Sequence, residues 1–185
     1  MDTLDPRAAR SRDAVLVAAR ALLQEEGPAS VTHQRVAQRA CVGRATVYRH
    51  WPRPESLLQD AIAGVDLPFF AASAPDDPDD GHARAAWLRR ELRRLADELA
   101  LPTVARVTAA LLQAAQWDAD ARQRLDRWLA EIDRRLRAAG IGEGSAALLV
   151  GPLVYRAVFQ AAPVDDALVD RLVSVVLIPP DLPRS

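Results

Sequence analysis

The chain contains no lysine. Its 24 basic residues are all arginine, set against 25 Asp and Glu for a formal net charge of −1. Aromatic residues make up only 5% of the 185, and there is one cysteine, Cys41. A single cysteine excludes an internal disulfide framework and any multi-cysteine zinc site. Cys41, His33 and His50 have no metal-ligand spacing either, so no metal or other cofactor is expected. No apolar run approaches the roughly 18 residues of a membrane span. The amino-terminal stretch MDTLDPRAARSRD is charged and lacks the apolar centre of a signal peptide. These absences predict a soluble, cytoplasmic protein with no membrane partner. Catalytic groupings are also missing. All three histidines precede residue 83, and GEGSA around Ser145 does not have the Gly-x-Ser-x-Gly order of a nucleophile elbow. No enzyme activity is expected.

What is present is helix. Half of the residues are apolar, mostly Ala, Leu and Val, which is enough for a packed core. Arg7–Glu26 places Val15, Ala18, Ala19, Leu22 and Leu23 at helical spacing. Gly27 then closes the helix and Pro28 prevents its continuation. Thr32 can cap a short helix over about 33–40, CVG makes a turn, RATVYRHW makes a second short helix, and Pro54 opens the next. The polar, proline-rich stretch at 71–81 reads as a loop. Five further amphipathic patterns lie near 82–100, 102–116, 118–139, 144–161 and 165–178. In the third, Asp118–Arg122, Asp120–Arg124, Glu131–Arg135 and Asp133–Arg137 have the acid-then-base order that suits ion pairs on an exposed face. Gly151-Pro152 should kink or interrupt the fourth. There is no strand pattern and no internal repeat. The expected fold is all-α.

Charge is uneven. Residues 1–65 hold nine Arg against seven acids, and the remainder fifteen against eighteen. Between Val31 and Arg53 lie five arginines, two histidines and no acid. A basic patch of this kind is a footprint for a polyanion, although a solvated basic face reads the same on charge alone. Two short helices separated by a three-residue turn, behind a longer one, form a helix-turn-helix pattern. Such a helix fits the major groove of DNA, where arginine pairs with guanine edges and Thr, Tyr and His bond phosphates or bases.

The stretch VTHQRVAQRACVGRATVYRHWPRPESLL resembles the DNA-binding region of the TetR family of bacterial transcriptional regulators. The likeness is carried by Val36-Ala37, by Ala40-Cys41-Val42, by Thr46-x-Tyr48-x-His50-Trp51 and by Glu55-x-Leu57-Leu58, and covers roughly residues 10–63. GPLVYRAVF and LVDRLV more distantly resemble the family's last two helices. The resemblance implies an all-α homodimer that binds double-stranded operator DNA and a small-molecule effector, mostly to repress transcription. It places residues 1–53 as the DNA-binding domain, 54–70 around a connecting helix, and 71–185 as the effector-binding and dimerisation domain. By position it implies DNA contacts from Thr32, His33, Gly43, Arg44, Thr46, Tyr48, Arg49, His50 and Arg53.

Three departures stand out. The turn glycine is Cys41, where a left-handed backbone costs an L residue about 1–2 kcal/mol. The capping serine of the third helix is Gly43, and the lysine opening the fourth is Pro54. They motivate the alternative of a small-molecule-binding helical protein with a degenerate DNA-reading head. Tyr48 reads as a DNA contact or a half-buried aromatic, and Trp51 as core. RRELRR at 89–94 reads as a solvated face. Trp87, Trp117, Trp128 and Phe159 either line the effector cavity or belong to the ordinary core. Leu149, Leu153, Val154, Leu168, Leu172 and Val176 give the last two helices an apolar surface that is core in a monomer and interface in a dimer.

Overall fold

The computed structural model describes residues 6–68, 70–77 and 79–177. Ile178, the expected end of the last helix, and the outermost residues of both expected domains lie outside them. The described residues are helical, with no strand: α1 (Pro6–Glu26), a 3₁₀ turn (Pro28–Ser30), α2 (His33–Arg39), α3 (Arg44–His50), α4 (Pro54–Ala63), α5 (Gly81–Ala100), α6 (Pro102–Ala114), α7 (Ala119–Ala138), α8 (Ser145–Val154), a π turn (Tyr155–Phe159) and α9 (Asp166–Leu177). No described helix is long and apolar enough to cross a membrane. The all-α expectation holds.

The described chain divides into two compact units. The first takes residues up to Asp66 together with Pro102–Arg124, and the second takes Leu67–Leu101 together with the chain from Leu125 onwards. In the first unit α1 is the central helix, packing against α2, α3, α4 and α6. Val15, Ala19 and Leu23 of α1 are fully buried, as are Val36, Val47, Leu57 and Ala61 from the surrounding helices. Gly27 ends α1 at a φ of +91°. The carbonyls of Gln24 and Glu25 then accept bonds from the Arg106 guanidinium of α6, at 2.9 and 2.7 Å. An arginine on the last carbonyls suits the negative end of the helix dipole and ties α6 to the support helix.

The core of the second unit is written on α5. Leu88, Leu92, Leu95 and Leu99, spaced four, three and four apart, are all fully buried. Each contributes about 2 kcal/mol of apolar burial. Between them sits Glu91, only 2% exposed, whose Oε2 accepts the backbone N–H groups of Ala71 and Ala72 at 2.7 and 3.2 Å. The loop expected at 71–81 is therefore fastened at its start. It is also fastened at its end, where Asp80 caps α5 by accepting from His82 and Ala83, both at 2.9 Å.

Pro152 does not stop α8, which runs through it to Val154 and passes into the π turn. The bond that Pro152 cannot donate belongs to the carbonyl of Leu148, whose side chain is 60% exposed, on the solvent side of the helix. Of the four acid–base pairs expected on α7, Glu131–Arg135 forms at 2.8 Å. Several of the other positions serve contacts beyond their own helix. Arg122 bonds the carbonyl of Ala115, Arg124 bonds those of Ala63 and Val65, and Asp133 accepts the N–H of Ala146 at 2.9 Å.

Two outcomes follow. Cys41 has a φ of +53°, so Cys41→Gly should stabilise the fold by about 0.5–1 kcal/mol, the relief of strain less the added chain entropy of glycine. Urea unfolding measures it. Hydrogen bonds from Arg134 and then Arg135 lower the Glu131 carboxyl from 4.5 to about 2. Because the folded value is the lower one, this stabilisation is complete above about 4.5 and disappears as pH falls towards 2. In Glu131→Gln the acid limb of stability against pH should be shallower in that window.

Candidate nucleic-acid interface

The turn between α2 and α3 is built from backbone demands. Thr32 caps α2, its Oγ1 accepting the N–H of Arg35 at 3.3 Å. Cys41 in the left-handed region reverses the chain, and the N–H of Val42 returns to the carbonyl of Ala37 at 3.0 Å. Gly43 precedes α3 with an extended backbone (φ −66°, ψ 142°) and no side-chain cap. Val47 is the buried anchor of α3, and Val42 is half-buried beneath the turn. The opposite side of α3 therefore faces solvent. Arg44 and Arg49 are exposed, Tyr48 is 52% exposed, and Thr46 and His50 are half-buried at its flanks. Arg53 is exposed at the entry to α4, and Thr32 is exposed at the start of α2.

His33 is placed differently. Its side chain turns inward, 5% exposed, with Nε2 2.7 Å from the carbonyl of Trp51. A carbonyl can only accept, so Nε2 carries the hydrogen. The imidazole also lies against the ring of Tyr48, with centroids 4.2 Å apart. His33 thus touches the exposed tyrosine from behind.

Trp51 is core, at 3% exposure, and its polar edge is satisfied. Its Nε1–H donates to Asp60 Oδ2 of α4 at 2.9 Å. The same oxygen is 3.1 Å from the Arg12 guanidinium of α1, which also lies 5.4 Å above the Trp51 ring. The end of α3 is thereby tied to α1, α2 and α4 by polar contacts. Sequence reasoning missed Arg12 and Asp60. The signal was there, because a buried indole brings an N–H that needs an acceptor.

The arginines fall into two groups. Arg35 pairs with Glu26 at 2.6 Å, and Arg39 makes a two-pronged contact with Glu25 at 2.7 and 2.6 Å. The bond from Arg35 lowers the pKa of Glu26 below the ordinary carboxyl value. Arg44, Arg49 and Arg53 have no acidic partner among the described residues. The local field beside α3 comes from these three. Among the described residues no group of His, Cys, Asp and Glu could hold a metal ion.

The four aromatics considered for an effector cavity divide between the two units. Trp117 belongs to the first unit and is 82% exposed. Trp87, Trp128 and Phe159 belong to the second. There Trp87 packs edge-on to Phe70 at 5.6 Å, Trp128 donates from Nε1 to the carbonyl of Pro68 at 2.6 Å, and Phe159 is 66% exposed. Of the apolar positions considered for an interface, Leu149, Leu153, Val154 and Leu172 are buried within the second unit itself, and Leu168 and Val176 are half-buried.

Residues 15–61 match the model of the family described as bacterial regulatory proteins, tetR family. No curated protein sequence matches the chain. Among solved structures, SCO7518 from Streptomyces coelicolor A3(2), described as a transcriptional regulator, is 25% identical. That likeness covers 89% of this chain and 96% of that one, with a TM-score of 0.62. SCO0332, a TetR family transcription regulator, is 28% identical over 91% of this chain and 97% of its own, with a TM-score of 0.55. NalD of Pseudomonas aeruginosa, the secondary repressor of the MexAB-OprM multidrug efflux pump, shares the fold at 18% identity and a TM-score of 0.53. There 90% of this chain and 94% of that one are covered.

Asp60→Ala would leave the buried Trp51 N–H without its acceptor and should cost about 1–3 kcal/mol of stability. Thermal unfolding would show the loss, and an unchanged midpoint would mean that the brace carries no weight.

Proposed function

Because its amino-terminal domain makes this chain a member of the TetR family of bacterial regulatory proteins, we propose that it is a homodimeric, ligand-responsive repressor of a pseudo-palindromic operator. The observation that carries this reading is the solvent side of α3. Arg44, Tyr48 and Arg49 project from a helix whose other side is locked by Val47 and Trp51. Thr46, His50, Arg53, Thr32 and the backbone at Gly43 are within the same segment and supply phosphate contacts. His33 acts from behind, through Tyr48. Residues 1–53 do the reading, 54–70 connect, and 71–185 supply the effector and dimer surfaces.

Burial supports a dimer surface one step round the helix from the expected positions. Leu148, Tyr155 and Phe159, seven and four residues apart across α8 and its π turn, are 60%, 56% and 66% exposed, and Val175 of α9 is 60% exposed. This stripe, with Val175 on α9, suits a second copy of the same chain. Effector binding in the second unit is supported by Trp87, whose Nε1–H is buried with no acceptor among the described residues. A dimer occupying two successive major grooves denies that stretch of duplex to other proteins, which is the physical content of repression.

Selection of bound sequences from random DNA should return two half-sites related by dyad symmetry. A single asymmetric site would contradict the dimer, and equally weak affinity for every sequence would contradict the regulator. On the selected site, Arg49→Ala should reduce the slope of log affinity against log salt by about one.

A further inference from the structure

The stretch RRELRR at 89–94, read from the sequence as a solvated face, divides in the structure. Arg94 bonds Glu98 along α5. Arg93 is held by three acceptors: Asp97 at 2.8 Å, the carbonyl of Val164 at 2.6 Å and Asp166 at 3.3 Å. Arg89 commits only its Nε, which donates to Asp170 Oδ1 at 2.6 Å. Arg90 makes no hydrogen bond among the described residues. Its one ion-pair contact is the buried Glu91 at 3.9 Å, and its side chain is 63% exposed.

Arg89, Arg90 and Arg93 line a cleft of about 340 Å³ in the second unit, and Asp166 and Asp170 of α9 line it too. Ala86 and Val169 complete the lining. On α5 the cleft takes the stripe 86, 89, 90 and 93, away from the buried leucines. The pairs Arg89–Asp170 and Arg93–Asp166 run in opposite order along their helices, so α5 and α9 are antiparallel. Asp166 is 87% exposed, with Arg93 as its ion-pair contact, and Oδ2 of Asp170 accepts no bond among the described residues. Open donors and open acceptors therefore share one cleft without meeting each other.

Charge restricts the occupant. An anion would meet the two aspartates, and a cation would meet three guanidiniums. A fitting surface carries a basic row beside an acidic row, and the chain itself has one. A two-fold axis lying along the cleft sets α5 of one copy over α9 of another. Each Arg90 then faces Asp166 and Asp170 of the second copy, and every contact occurs twice. One exposed pair would be too weak to hold two chains, so the doubling matters. The surface is also separate from the stripe on α8 and α9. Asp166 and Val175 are nine residues apart on α9, about two and a half turns, and so point to opposite sides of that helix.

We infer that the α5–α9 cleft is a self-association surface that takes the same cleft of a second copy through exchanged Arg–Asp contacts. Whether it joins chains or dimers rests on the dimer proposed above, and the contact itself does not.

Sedimentation equilibrium on the full chain should give twice the mass at about 50 mM NaCl that it gives at about 0.5 M, where such contacts are screened. Arg90→Glu and Asp166→Arg, both at exposed positions and checked for an unchanged melting temperature, should each keep the lower mass at low salt. An equal mixture of the two variants should recover the doubled mass, because each reversed charge then meets an opposite one. A mass independent of salt, a single variant that still doubles, or a mixture that stays apart would overturn the contact. A high-salt mass of one chain would contradict the α8–α9 dimer, and doubling from that mass would leave the cleft contact standing.

Discussion

The indole of Trp51 is the contact on which the geometry of the reading head depends. α3 has only seven residues, far below the length at which a helix is stable in isolation. Apolar packing through Val47 holds it down but does not fix its rotation or its end. Trp51 does both. Its ring is buried, its N–H is held by α4, its carbonyl is held by α2, and a guanidinium from α1 lies over its face. A phenyl ring would fill the space without supplying the donor. The orientation of Tyr48 and Arg49 towards solvent follows from this arrangement, and His33, wedged between Trp51 and Tyr48, transmits it to the exposed ring.

The second organising constraint is the distribution of arginine. With no lysine in the chain, each positive charge is a planar fork with five donors, and many are used structurally. Arg106 closes the end of α1, and Arg35 and Arg39 are matched by Glu26 and Glu25 on that same end. These exposed pairs add little stability, because solvent screens them. Their effect is to remove two charges from the field beside α3. What remains is concentrated at Arg44, Arg49 and Arg53, along one edge of the head.

Most of the fold was legible because its signals were local. Gly27-Pro28, Thr32, the tight turn at Cys41 and Pro54 each mark a helix boundary through backbone chemistry, and the apolar spacing of α1 and α5 marks the cores. The left-handed turn at Cys41 was expected because Cys41 stands where the resembled family has its turn glycine. Other features depended on partners distant in sequence. Glu25 and Glu26 lie just outside the basic stretch, so a charge count over 31–53 could not reveal that they engage two of its five arginines. The resemblance placed His33 among the DNA contacts, and the carbonyl of Trp51 explains why its side chain is instead buried. On α8 the sequence identified an apolar surface but not which stripe faces inward. Leu149 and Leu153 are buried, whereas Leu148 and Phe159 are exposed.

The first unit is discontinuous in sequence, using residues up to Asp66 and then Pro102–Arg124. This has a consequence for synthesis. When the ribosome has released the segment up to Asp66, the reading helices exist, but the apolar side of α1 that receives α6 is uncovered, and Arg106 has not reached the carbonyls of Gln24 and Glu25. The unit becomes complete only after α5, which belongs to the other unit, has been made and residue 124 has emerged. At about 5–20 residues per second this leaves an interval of several seconds in which the nascent head is a partial structure. The first unit is therefore completed well after its leading segment has emerged.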